Sequence, residues 1–160
     1  MPDSLAERIA AAMPQDSNTP RLIVIVGPPG SHKSEALREA ADQRGIPVVN
    51  LGVELSAALL PLSERDRRLR VRHVLEALIP GRDAVALDNL EILFEPTLRL
   101  DPLPTLEALA RDRLVIAVWP GHVESGDLVY AYREHPEHKR SKPQSVHVVS
   151  AEQEAKEVYE

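Results

Sequence analysis

The chain has 160 residues, of which 43% are hydrophobic and 28% are charged, and it contains no cysteine. These values are typical of one globular domain, and the lack of thiols excludes disulfides, thiolate metal sites and cysteine nucleophiles. A formal net charge of −6 gives no overall field that attracts nucleic acid, so direct nucleic-acid binding is not expected. The first residues lack the basic and apolar regions of a secretory signal, and no apolar run is long enough for a membrane span. This favours a soluble, cytoplasmic protein.

The chain opens with a predicted helix over residues 4–13. Ser4 is the expected N-cap, Glu7 completes a capping box, and an apolar stripe recurs every four residues at Leu5, Ile9 and Met13. A polar linker over residues 14–20 follows the helix. We therefore separate residues 1–19, a helix and linker, from the domain that begins at residue 20.

Strands and helices alternate over the next hundred residues. Four apolar segments predict strands, over residues 21–26, 46–51, 83–87 and 114–119. Three segments predict helices, over residues 33–44, from Ser63 to about 79, and over 102–113. Gly45 is expected to end the first helix. The second helix is expected to bury Val71, Val74, Leu75 and Leu78. This alternation predicts an α/β fold with a mostly parallel sheet covered by helices on both faces. Ligands of such sheets bind at the carboxyl ends of the strands.

The pattern changes after residue 121. Residues 128–132 and 146–149 predict a short C-terminal β extension of two strands, which could pair as a hairpin around a polar loop. Residues 151–160 form an acidic tail. The main domain is therefore expected to span residues 20–150.

The most informative segment follows the first strand. Residues 27–34 match the G-x-x-x-x-G-K-[ST] spacing of a phosphate-binding loop, except that His32 replaces glycine. Backbone N–H groups of residues 30–34 would surround a polyphosphate at the start of a helix. Lys33 would reach the β- and γ-phosphates, and the Ser34 hydroxyl would bind Mg²⁺. The predicted nucleotide-binding residues are Gly27, Pro28, Pro29, Gly30, Ser31, His32, Lys33, Ser34 and Glu35.

His32 leaves three interpretations open. Histidine is enriched at positive φ, so the loop can keep its shape with the imidazole pointing away from the phosphates, which is the outcome we expect. The side chain could instead contact phosphate or confer pH sensitivity. A third alternative is a degenerate loop that binds weakly or not at all.

Acidic residues follow the third predicted strand. Asp88 lies where the second acidic motif of a P-loop ATPase is expected, and its carboxylate would hold Mg²⁺. The next residue is Asn89 rather than a glutamate that could polarise the attacking water. Glu91 is the nearest carboxylate and is our candidate for that catalytic role beside Lys33. A turn aspartate at a strand end is the alternative for Asp88.

Two further clusters have less specific patterns. The predicted helix from Ser63 carries Arg65, Arg67, Arg68, Arg70 and Arg72. We interpret these arginines as a solvated face offset by Glu64, Asp66 and Glu76, with a trans-acting arginine or a docking patch as the alternative. His122, His135 and His138 invite a metal interpretation, but Pro136 interrupts the spacing, and we expect a polar loop.

The paired motifs at residues 27–34 and 84–88 resemble those of the P-loop NTPase superfamily, and Gly-Pro-Pro-Gly at the loop resembles its AAA+ branch. Residues 87–94, the block from Trp119-Pro120-Gly121 to Tyr130-Ala131, and His135-Pro136-Glu137 are similar to the BrxF family of type III BREX phage-defence systems. The resemblance implies a bacterial ATP-binding component that works with larger defence proteins, among them a large ATPase and a DNA methyltransferase. The chain departs from AAA+ proteins in lacking a helical lid and a clear sensor residue.

We therefore expect an ATP-binding, slowly hydrolysing subunit of a multi-protein assembly, with Mg²⁺ as its metal ion. Two alternatives stay open. One is a small-molecule or nucleotide kinase, whose substrate would be held by the arginine run. The other is a scaffold with a degenerate site and no turnover. Self-association is also left open by the sequence.

Overall fold

The computed structural model describes residues 4–14, 21–79, 83–131, 137–143 and 145–151. The helices are α1 (Leu5–Ala12), α2 (Lys33–Arg44), α3 (Leu51–Leu59), α4 (Glu64–Leu78) and α5 (Pro102–Leu109). The strands are β1 (Leu22–Val26), β2 (Val48–Asn50), β3 (Ala84–Asp88), β4 (Leu114–Val118), β5 (His122–Glu124), β6 (Asp127–Tyr130), β7 (Lys139–Ser141) and β8 (Val146–Ser150). Two 3-10 helices, Leu90–Phe94 and Pro96–Leu98, follow β3. The described helices include none that could cross a bilayer.

The main sheet has five parallel strands in the order β2-β3-β4-β1-β8. Every residue of β1 is buried, and because side chains alternate along a strand, β1 contributes to two separate cores. Leu22 and Val24 pack on the side that holds α3, α4 and α5, whereas Ile23 and Ile25 pack with α1 and α2. The predicted fold class, a parallel sheet covered on both faces, is confirmed.

The predicted helix boundaries are accurate where a cap is present in the sequence. Ser4 and Glu7 form the complete capping box of α1. Gly45, at φ 67°, ends α2 because its left-handed conformation suits glycine. Ser63 accepts a hydrogen bond from the backbone N–H of Asp66 and so begins α4. Along α4, Val71 and Leu75 are buried, as predicted, while Val74 and Leu78 are only partly buried.

Helix α3 was not predicted from the sequence. A strand over 46–51 was expected, but the strand ends at Asn50, whose side chain accepts a hydrogen bond from the N–H of Val53 and begins the helix. Leu51, Leu55 and Leu59 form the buried stripe of α3. Asn50 therefore belongs to the strand and caps the helix, and no turn residue separates the two elements.

The predicted helix over 102–113 is too long. It ends at Leu109, and Arg113 lies buried beyond it. The Arg113 guanidinium donates hydrogen bonds to Leu109 O (3.0 Å) and to the carboxylate of Glu76 (2.9 Å). The carboxylate of Glu76 balances the charge of the buried Arg113. The carbonyl at the end of the helix accepts a further hydrogen bond from Arg113, so the helix can end at Leu109.

The predicted C-terminal hairpin is wrong. Strand β8 pairs in parallel with β1, from Leu22 opposite Val146, and completes the main sheet. Strand β6 instead lies between β5 and β7 in a separate three-stranded antiparallel sheet. Neither β5 nor β7 was predicted. The 14–20 linker after Pro14, Pro80-Gly81, His135 and the tail after residue 151 lie outside the described residues.

Candidate functional site

The segment between β1 and α2 folds into a compact loop. Gly30 adopts φ 81°, and the Ser31 side chain donates a hydrogen bond of 2.7 Å to Pro28 O. A Cβ atom on Gly27 would lie 2.9 Å from Ser31 Oγ and 2.7 Å from Ala151 Cβ. Contacts that short essentially never occur, so only glycine fits at position 27.

His32 keeps the loop shape that the motif normally assigns to glycine. It adopts the left-handed conformation, φ 60° and ψ 35°, and is the N-cap residue of α2. The imidazole is 74% exposed, and its Nδ1 lies 3.4 Å from Glu35 Oε1. The expected positive φ is therefore present, with the ring on the solvent side of the helix start.

The first turn of α2 presents unbonded amide groups. His32 makes no side-chain cap, and within the described residues the N–H groups of Lys33, Ser34 and Glu35 have no acceptor. Such groups carry the positive end of the helix dipole. The start of α2 can therefore accept an anion.

Lys33 is folded back onto its own loop. Its ammonium donates to Gly27 O at 2.8 Å, to Pro28 O at 2.9 Å and to Ser31 Oγ at 3.3 Å. No carboxylate pairs with it in the described part of the chain. Burial lowers the pKa of the Lys33 ammonium from its ordinary value. The loop thus holds an unpaired cation whose partners are neutral oxygen atoms.

The end of β3 brings an acidic residue against the start of α2. Asp88 is 5% exposed, and its Oδ1 accepts hydrogen bonds from Ser34 Oγ at 2.8 Å and from the Asn89 N–H at 2.9 Å. Its Oδ2 lies 3.4 Å from Nη1 of Arg38. Ser34 and Asp88 were predicted to hold one metal ion together, whereas a role for Arg38 was not predicted. Arg38 lies four residues after Ser34 and so on the same face of α2.

The loop and Asp88 line one large cavity, with a volume of about 1560 Å³. Five of the predicted nucleotide-binding residues line it, namely Gly27, Pro28, Pro29, Lys33 and Ser34. The other four, Gly30, Ser31, His32 and Glu35, do not. Asp88, Asn89 and Glu91 continue the lining from β3. The strand ends therefore meet at one cavity, as the parallel sheet predicted.

Glu91 lies on the 3-10 helix after β3, exposed at the cavity. Asn89 begins this helix at φ 57°, and the turn places Glu91 near Tyr130 of β6. Burial raises the pKa of the Tyr130 hydroxyl, and the charges of Glu137 and Glu91 and a hydrogen bond with Glu137 raise it further. Glu91 and Tyr130 thus line the same cavity.

The antiparallel sheet β5–β6–β7 forms a second wall of the cavity, and it was not predicted from the sequence. Trp119, fully buried after β4, donates its indole N–H to Val129 O of β6 at 3.2 Å. A Cβ on Gly121 would lie 1.8 Å from the same carbonyl oxygen. The Trp-Pro-Gly segment thus fixes this sheet to the end of β4. The turn residues Ser125 and Gly126, both at positive φ, join β5 to β6 and suit a tight hairpin turn.

One histidine and one arginine of the two clusters have structural partners. His122 Nε2 lies 2.9 Å from Glu124 Oε2, and the described residues contain no group of three or more metal-ligating side chains of the His, Cys, Asp and Glu type. On α4, Arg67 donates to Leu59 O and Leu60 O at the end of α3. Glu76, expected to offset the α4 arginines, pairs with Arg113 instead.

No protein-family model matches the chain, and no curated protein matches it. Of the 26 matching chains of solved structures, one is PCH-2 from C. elegans, with 17% identity and a TM-score of 0.40 over 91% of this chain and 40% of that chain. The chain therefore spans less than half of the length of PCH-2. The chain's own structure is an α/β fold whose five-stranded parallel sheet has the loop of residues 27–34 and Asp88 at its strand ends.

Proposed function

We propose that the chain binds ATP with Mg²⁺ at the loop between β1 and α2. The observation that carries the proposal is the 2.8 Å contact between Ser34 Oγ and Asp88 Oδ1. A hydroxyl and a carboxylate are the hard oxygen ligands that Mg²⁺ takes beside substrate phosphates. Ser34 and Asp88 would hold the ion, which when bound neutralises charge on the β- and γ-phosphates.

The remaining loop groups fit a polyphosphate. The ammonium of Lys33 now contacts two carbonyls, and phosphate oxygens would be stronger partners because the hydrogen bonds would be charge-assisted. The unbonded amides at the start of α2 supply further donors. Gly27 lets the loop pack against Ser31 and Ala151, since a side chain there has no room.

Glu91 is our candidate for orienting the attacking water in hydrolysis. It lies at the cavity, exposed and three residues after Asp88. Asn89, which lies between them in the chain, carries no charge that could take a proton. We therefore propose slow hydrolysis in which Lys33 stabilises the phosphates and Glu91 accepts the proton of the water.

Isothermal titration with ATP and Mg²⁺ tests binding. Wild-type protein should release or absorb heat, and Lys33→Ala should weaken binding at least 10-fold, because it removes a charge-assisted contact. Arg44→Ala is the matched control, since it removes one positive charge at the opposite end of the same helix. Absence of binding by the wild type at high micromolar ATP, or equal binding by Lys33→Ala, would contradict the proposal.

A kinase activity is the second candidate, and the size of the cavity favours it. Pockets for one small ligand usually measure roughly 300–1,000 Å³, so a cavity of about 1560 Å³ leaves room for an acceptor beside ATP. Phosphate release from ATP without any added acceptor would count against a kinase.

We further propose that the chain works within a bacterial BREX defence assembly in the cytoplasm, with a large ATPase and a DNA methyltransferase as partners. The support is the resemblance carried by residues 87–94 and 119–131. Genes for such partners beside the gene for this chain would agree with the proposal, and their absence would count against it. Assembly retained by Lys33→Ala would favour a scaffold over an ATP-dependent subunit.

A further inference from the structure

The connection from β4 to β8 carries an antiparallel sheet. We call this three-stranded unit, residues 122–124, 127–130 and 139–141, the covering sheet. It lines the same cavity as the loop of residues 27–34. A ligand held by Lys33 in that cavity therefore lies between the loop and the covering sheet.

The register of the covering sheet aligns three residues across its strands. His122 is opposite Val129, and Val129 is opposite Arg140. Paired residues of neighbouring strands point to the same face, and all three line the cavity. His122 and Arg140, on the two outer strands, thus flank the buried Val129.

Arg140 is held in a defined position on this face. Its Nε donates to Asp127 Oδ2 at 2.8 Å, its Nη2 donates to Glu124 O at 3.2 Å, and its Nη1 lies 4.0 Å from Glu124 Oε2. Its side chain remains 40% exposed. These contacts orient the guanidinium, and a phosphate that binds it from the cavity would replace Glu124 at the two Nη groups.

The covering sheet is anchored to the end of β4. The indole N–H of Trp119 donates a hydrogen bond to Val129 O, and Val129 is the residue opposite Arg140. Gly121 brings the chain against the same carbonyl, where no other residue fits. Arg140 is therefore placed by the end of β4, which also pairs with the loop-bearing strand β1.

We propose that Arg140 contacts the terminal phosphate of the bound nucleotide, so that the chain supplies its own phosphate-binding arginine from the covering sheet. The inference rests on the proposed function, since it needs a nucleotide on Lys33. A terminal phosphate has three charged oxygens, and a guanidinium binds two of them at once. None of the five α4 arginines lines this cavity.

The test compares ATP with ADP, because only ATP carries the phosphate that Arg140 would contact. We expect Arg140→Gln to weaken ATP binding by roughly 10-fold and to leave ADP binding within about twofold of wild type. Lys139→Gln is the matched control, since the adjacent residue of β7 loses the same charge and points to the opposite face. It should leave both affinities unchanged.

Folding is monitored through the fluorescence of Trp119, the only tryptophan of the chain, because its indole contacts the covering sheet. Should Arg140→Gln lose this signal, Arg140→Lys keeps the charge without the forked donor, and we expect it to lower the ATP affinity more than the ADP affinity. An equal change for ATP and ADP, or no change, overturns the inference. Wild-type protein that binds neither nucleotide overturns the proposed function itself.

Discussion

Ser34 and Asp88, 54 positions apart, are joined by a hydrogen bond of 2.8 Å between hydroxyl and carboxylate. The contact forms because Ser34 begins α2 directly after the loop, while Asp88 ends β3 at the same edge of the parallel sheet. Strand β4 lies between β1 and β3, so this hydrogen bond spans the end of an intervening strand. It connects the two halves of the proposed metal site.

Loss of either residue should remove the Mg²⁺ dependence of nucleotide binding. For Asp88→Asn and Ser34→Ala we expect ATP affinity in Mg²⁺ to fall to about the value that wild type shows in EDTA, because each change removes a metal ligand. Titration with and without Mg²⁺ measures this. Glu39→Gln, an exposed change on α2, is the control, and an Mg²⁺ effect that persists in Asp88→Asn would argue against the site.

His32→Gly should retain nucleotide binding. The residue already has φ 60°, a conformation that glycine adopts without strain, and its exposed imidazole is outside the cavity lining. We expect ATP affinity within about twofold of wild type and a stability change of at most about 1 kcal/mol. A loss of binding as large as that of Lys33→Ala would instead assign the imidazole to phosphate contact.

Gly121→Ala should destabilise the protein strongly. The added Cβ would lie 1.8 Å from Val129 O, so the backbone must move, at an expected cost of about 3 kcal/mol. Gly126→Ala is a useful comparison, because its Cβ meets nothing within 4 Å and only its φ of 83° is unfavourable, which costs about 1–2 kcal/mol. Urea unfolding of both variants tests the difference, and equal costs would contradict it.

Arg67 should stabilise the α3–α4 connection, unlike its neighbours in the arginine run. It donates to Leu59 O and Leu60 O, 2.8 and 2.9 Å away, so Arg67→Ala leaves the end of α3 without these donors. We expect a loss of about 1–2 kcal/mol of unfolding free energy. Arg70→Ala, an exposed change on the same helix, should cost less than about 0.5 kcal/mol. Denaturant titration of the two variants distinguishes them.

Tyr130 should ionise above the ordinary tyrosine pKa of 10.0, because burial and the nearby carboxylates of Glu137 and Glu91 disfavour the phenolate. Its contribution to stability is then fully present below the ordinary pKa and is lost as the pH rises through the raised value. Absorbance titration of the three tyrosines should show one late component that is missing in Tyr130→Phe. Tyr159→Phe should keep it. A Tyr130 component at the ordinary pKa would contradict the expectation.

The parts of the fold that were predicted correctly depend on local signals. The capping box of Ser4 and Glu7, the stop at Gly45 and the apolar run of β1 each act within a few residues. The fold class followed from the alternation of these elements. Helix α3 was missed because Asn50 ends a strand and caps a helix at once, which leaves no turn to detect.

The wrong predictions concern pairings between distant residues. Periodicity identified the segment around Val146 as a strand but could not show that it pairs with Leu22 rather than with β6. The partners of Arg113 and Arg67 are likewise set by tertiary packing. At the candidate site, the motif predicted the Ser34–Asp88 pairing, but the wall that carries Arg140 depends on the contact of Trp119 with Val129, which no motif encodes.

The position of β1 between β4 and β8 has a consequence for the order of folding. Both neighbours of the loop-bearing strand come from residues after 113, so a nascent chain that has emerged only as far as α5 has β1 without either partner. Such long-range parallel pairing is slow to form. The loop between β1 and α2 is therefore expected to gain its final shape only after β8 has emerged and docks beside β1.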